Sequence, residues 1–159
     1  MHNMQIYTGY FAGFNKGIDY PNPISIAAST PKWWIDRGFQ KATWLAPRAE
    51  WFWDWKKKVD DYMASGGYSE DELKADYEKK YFNTVIGRMS PSTMVSLLLK
   101  DVFAADRGIT LVCYESPVDE DDEFVDGYEP KLGVDFCHRF LLARYIRSGG
   151  YECKEYRER

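Results

Sequence analysis

"ITLVCYES", residues 109–116, decides how this chain folds. It is a near-continuous apolar run of strand length, the pattern of a strand covered on both faces. The stretches around it read as helices. Upstream, "SPSTMVSLLLKDVFAADRG" (90–108) offers Ser90 as N-cap, Pro91 at the first helical position and Gly108 beyond the end. Downstream, "VDFCHRFLLARYI" (134–146) leads a helix expected over 136–148, with Asp135 as its cap and Gly149 as its stop.

Further out, "MQIYTGYF" (4–11) and "PISIAAS" (23–29) read as short strands, and "YECKEY" (151–156) alternates like an edge strand. "TPKWWIDRG" (30–38) has the cap, proline and closing glycine of a short helix. In "PRAEWFWDWKKKVDDYMASGG" (47–67), Trp51, Trp55 and Val59 recur at spacing four, so one aromatic face packs inward. Ser69 and Glu72 open the next helix at capping-box spacing. Strands separated by helices, with long connections, predict a single α/β domain over 1–159: a mainly parallel sheet flanked by helices, Rossmann-like and three-layered.

Net charge is −4, which argues against a broad phosphate-backbone binder. No run approaches the roughly 18 to 20 apolar residues of a membrane span. The start, "MHNMQIYTGYF", lacks a basic segment followed by an apolar core, so no secretion leader is expected. Cys113, Cys137 and Cys153 form no CxxC and are odd in number. Free thiols and a cytoplasmic location are the expectation.

"PVDEDDEFVDGYEPKLGVD" (117–135) joins a strand to the following helix, where about two to six residues usually suffice. Its unbroken acidic run, Asp119 to Glu123, reads as a solvated loop, or as a lid or dock for a basic protein partner.

In an open α/β sheet, ligands bind along the carboxyl ends of the strands. That edge is where Glu115, Cys113, the Cys137–His138–Arg139 turn, Tyr7 or Tyr10, and Ser29 with Thr30 are expected to converge. The helix start favours an anion, and Arg139 adds a forked donor. Tyr10, Trp33 or Trp34 would stack on a ring. Glu115 and His138 are the candidate acid/base pair, and Cys137 a candidate nucleophile, although its helical neighbour His138 is not expected to face it. Cys113, Glu115, Cys137 and His138 are metal-ligand types. Their spacing is unlike common zinc motifs and adjacent helical residues diverge by about 100°, so no metal is assigned and no cofactor named. The Trp53 and Lys56–Lys58 side of "WLAPRAEWFWDWKKK" is a second candidate surface, against the commoner reading of a solvated basic helix end.

On these residues, "VCYESP" followed by "FCHRFLLARYI" resembles the uncharacterised bacterial, archaeal and phage proteins of the domain-of-unknown-function 488 family. Members carry a strand ending Cys-x-Glu and a helix starting Cys-His-Arg with a Leu-Ala pair one turn on, here Cys113, Glu115, Cys137, His138, Arg139, Leu142 and Ala143. "IYTGYFA", "PISIAASTPKWW" and the "LAP" of 45–47 are similar to its smaller branch. The acidic segment departs from the family's short gap between Glu and Cys-His-Arg. The resemblance implies a compact α/β fold and no settled activity.

The leading functional expectation is recognition of a small anionic or phosphate-bearing molecule, a nucleotide or derivative, with Glu115/His138 for any turnover. The alternatives are a nucleic-acid or base-processing enzyme, and a non-catalytic phage-type inhibitor or adaptor working through the acidic loop.

Overall fold

The computed structural model describes residues 4–102, 104–115, 130–132 and 136–157. The acidic run and Asp135 lie outside them. Five strands, β1 (Gln5–Tyr10), β2 (Pro23–Ser25), β3 (Gln40–Lys41), β4 (Ile109–Cys113) and β5 (Glu152–Glu155), form one sheet in the order β3-β2-β4-β1-β5. Every pairing is parallel. All five residues of β4 are buried, as its apolar run predicts, and β5 lies at one edge.

Alternation along β4 divides the core. Ile109, Leu111 and Cys113 join Ile6 and Ile24 in the larger cluster. That side is covered by α3 (Ala49–Ser65), α4 (Glu70–Thr84), α5 (Pro91–Leu99) and α6 (His138–Ser148). Val112 points the other way, into a small aromatic cluster with Phe11 and Trp34, carried on α1 (Phe11–Asn15) and α2 (Lys32–Asp36). The result is three layers, thick on one side and thin on the other. Among the described residues no helix is long and apolar enough to cross a membrane.

The caps follow sequence chemistry. Ser69 accepts from the Glu72 N–H and Ser90 from the Thr93 N–H, while Gly66 closes α3 at φ +70°. Four boundaries differ from expectation. Pro31 sits before the first helical residue of α2, and no side chain caps that helix. The pairing of β2 ends with the Ile26 N–H bound to the Val112 carbonyl, short of residue 29. α5 stops at Leu99, nine residues short of Gly108, and a 3-10 turn at Ala105–Arg107 fills part of the remainder. α6 begins at His138 rather than Phe136, with Cys137 as its N-cap.

The connections set the position of a crevice. β1 and β2 leave the sheet toward α1 and α2 on the thin side, whereas the chain after β4 returns as α6 on the thick side. A strand flanked by two neighbours that exit to the opposite face marks a topological switch, and a gap opens beyond its carboxyl end.

Candidate functional site

A cavity of about 430 Å³ occupies that gap, bounded by the segments after β2 and β4, by α3 and α4, and by residues just ahead of α6. Its wall is aromatic: Phe52, Trp53 and Trp55 from α3, Tyr77 from α4, and Phe136. The spacing-four face of α3 is buried as predicted, and the cavity lies along its margin. The wall is held stiffly. Tyr77 meets Trp55 and Phe136 with ring centroids 4.7 and 5.2 Å apart in edge-to-face contacts. The Trp55 indole N–H donates to the Leu73 carbonyl at 2.7 Å. Trp53 stays 68% exposed at the rim. Leu132 closes one side, its N–H donating to the Glu70 carboxylate at 3.0 Å.

The polar lining is Ser29, Lys56, Cys113, Glu115, Cys137 and His138. Cys113 and Cys137 are free and buried, with sulfur atoms 2.7 Å apart. Cys137 Sγ is 3.6 Å from His138 Nδ1, and Cys113 Sγ 3.8 Å from Glu115 Oε2. His138 Nε2 is 2.8 Å from the Ile26 carbonyl oxygen. A carbonyl only accepts, so Nε2 carries a hydrogen, and Nδ1 is the ring nitrogen that faces the sulfur. Burial, reinforced by the hydrogen bond with Cys137, pushes the Cys113 thiol well above its ordinary value against the opposing pull of Arg139 and His138.

Two expectations are corrected by this geometry. Cys137 and His138 do face each other, because Cys137 is an extended N-cap (φ −150°, ψ 151°) rather than a helical neighbour, so the divergence of adjacent helical side chains does not apply. Glu115 and His138 are not a hydrogen-bonded pair: the imidazole spans Cys137 and Ile26, and Glu115 reaches Cys113 instead.

Arg139 is corrected as well. It is fully buried outside the cavity lining, its Nε 3.8 Å from Glu155 Oε1 and its NH1 donating to the Glu115 carbonyl oxygen. Thr8 donates to the same Glu155 oxygen at 2.7 Å. The guanidinium therefore ties β4, β5 and α6 together. Tyr10 is buried with its hydroxyl accepting from Lys16 Nζ, and Thr30 lies outside the lining. Trp33 and Trp34 meet Phe11 and Phe14 edge to face in the thin layer, outside the cavity lining. Of the expected residues, the fold thus gathers Ser29, Cys113, Glu115, Cys137 and His138. The aromatic wall comes from elsewhere. Its signal in sequence was the tryptophan-rich stretch of α3, whose Trp53 and Lys56 both line the cavity.

Comparison of the chain with family models, curated proteins and solved structures finds no match.

Proposed function

We propose that this chain is a small-ligand domain that takes a flat, ring-bearing anionic molecule, a nucleotide or nucleotide derivative by class, into the cavity at the carboxyl edge of β2 and β4. The observation that carries the reading is the aromatic wall of Phe52, Trp53, Trp55, Tyr77 and Phe136 facing a short row of polar groups. A mostly apolar cleft of about 430 Å³ with a few convergent polar side chains has the size and make-up of a small-molecule site. Rings stack on such walls, and the exposed face of Trp53 is open to one. The anionic group falls to Lys56, the lysine in the lining, and Arg139 plays no direct part.

Calorimetric titration of bases, nucleosides and nucleotides tests this. Trp53→Ala should weaken every ring ligand by roughly 10-fold, within the ~1–3 kcal/mol that a base–aromatic stack contributes. Lys56→Ala should weaken the phosphorylated ligands alone. Both side chains are exposed, so the fold should survive. No binding across the panel, or equal affinity in wild type and Trp53→Ala, overturns the reading.

A further inference from the structure

The cluster at the cavity floor has a second use. We propose that Cys113, Cys137, Glu115 and His138 form a binding site for a zinc-class divalent cation. Ligand atoms of the two cysteines and Glu115 all lie within 4.8 Å of one another. They come from two elements only, the end of β4 and the cap of α6, so one ion would staple the strand to the helix.

The distances decide between candidates. With zinc–sulfur bonds of about 2.3 Å and zinc–nitrogen or zinc–oxygen bonds of about 2.0–2.1 Å, a tetrahedral ion places sulfur about 3.5–3.6 Å from nitrogen or oxygen. Cys137 Sγ to His138 Nδ1 is 3.6 Å, and Cys113 Sγ to Glu115 Oε2 is 3.8 Å. Two of the tetrahedron's six edges are therefore close to their bound lengths. The sulfur–sulfur edge must open, since the sulfurs stand 2.7 Å apart where an ion would hold them at about 3.8 Å. His138, which is outside the mutual 4.8 Å group of Cys113, Glu115 and Cys137, must close on the ion to become the fourth ligand.

His138 is prepared for the role. Its Nε2–H is fixed on the Ile26 carbonyl, which leaves Nδ1 facing the cluster. Metal-binding imidazoles are oriented in this way, by a carbonyl on the far nitrogen. The donor set, two sulfurs with an imidazole and a carboxylate, suits zinc over calcium or magnesium. Binding replaces the two thiol protons, which leave to solvent, so affinity should rise with pH.

The test uses the full chain, reduced with a phosphine and stripped with a chelator, and then titrated with Co²⁺. The expected result is one ion per chain, a thiolate-to-cobalt charge-transfer band, and the strong visible bands of a tetrahedral ion. Zn²⁺ should displace it. Cys113→Ser and Cys137→Ser should each lower the charge-transfer band to about half or less and the double variant should abolish it, whereas Cys153→Ser should leave it intact. Glu115→Gln, whose side chain is exposed and whose fold is safe, should weaken binding by at least the roughly 10-fold that even an outer-shell loss costs. A six-coordinate cobalt spectrum, a spectrum unchanged in Cys137→Ser, or quantitative Cys113–Cys137 disulfide in the presence of equimolar Zn²⁺ would overturn the site. These readouts need no nucleotide, so the ion site and the ring-ligand reading fail independently.

Discussion

Arg139 and Glu155 form an ion pair from which water is excluded, with side-chain exposures of 0% and 2%. This pair explains why a motif arginine beside a cavity does not enter it. Two buried charges cost several kcal/mol to desolvate, and the cost is offset only when both are paired and further hydrogen-bonded. Glu155 also accepts from Thr8, and Arg139 donates to the backbone of Glu115. The guanidinium thus fixes the strand end that carries the Cys113–Glu115 side of the site.

Removing one partner of this pair should be severe. Arg139→Ala takes the guanidinium away from a buried carboxylate and is expected to destabilise the fold by about 3–5 kcal/mol. The double change Arg139→Met with Glu155→Leu should recover part of that, but not all, because Thr8 and the Glu115 carbonyl each lose a partner. Denaturant unfolding at constant slope measures both. A single substitution costing under about 1 kcal/mol would show that the pair does not hold the edge together.

Trp55 combines a large apolar surface with one buried polar obligation. Its indole N–H satisfies the Leu73 carbonyl, linking α3 to α4 behind the cavity wall. Trp55→Phe keeps most of the ring and removes the indole donor, while the Leu73 carbonyl lies within α4, so the expected loss is that of one net hydrogen bond, about 0.5–1.5 kcal/mol. Trp55→Ala adds the cavity and should cost about 3–5 kcal/mol. Equal losses in the two variants would mean that the ring retained in Trp55→Phe contributes nothing to the packing of the wall.

Gly108 leads into β4 at φ +88°, and a Cβ there would lie 2.5 Å from the Gln5 carbonyl oxygen. Backbone cannot step aside as a flexible side chain would. Gly108→Ala should therefore destabilise by more than the roughly 1 kcal/mol of a simple left-handed penalty, since the close contact adds to it. Thermal unfolding of Gly108→Ala beside Gly66→Ala checks this. Gly66 has a similar φ of +70° and nothing within 4 Å of its would-be Cβ, so it should lose less.

The parts of this fold that were legible are those set by local chemistry. The apolar run of β4, the Trp51/Trp55/Val59 face and the serine caps rest on period, propensity and one hydrogen bond each, all written within a few residues. β3 was not legible: two residues, Gln40 and Lys41, pair with β2 and have no pattern to read. Arg139 and Trp33 were placed wrongly for one shared reason. Both sit in the first turn of a helix that follows a strand, and which side of the sheet such a residue reaches depends on where that helix packs, which is tertiary. The tryptophan-rich wall was visible as composition, but its meeting with Cys113 and Cys137 required the crossover that brings α3 over the carboxyl end of β4.

Cys153 gives a prediction in pH. Burial pushes its thiol up from 9.0 to about 12, with Arg147 opposing and Glu155 adding to the rise. The folded chain thus keeps a proton that the unfolded chain gives up. Because the folded state binds more protons in this window, stability falls as pH rises. The contribution is complete below about pH 9 and is lost progressively up to about pH 12. At full effect the slope is one proton's worth, about 1.4 kcal/mol per pH unit. Cys113, Tyr77 and Tyr81 are shifted in the same direction, mainly by burial, so the total alkaline slope is shared. The difference between wild type and Cys153→Ala isolates the contribution of this thiol. Urea midpoints measured from pH 8 to 10.5 should converge as pH rises, with wild type losing stability faster. Parallel curves would mean that this thiol ionises in the folded chain as readily as in the unfolded one, and that β5 is open to water at Cys153.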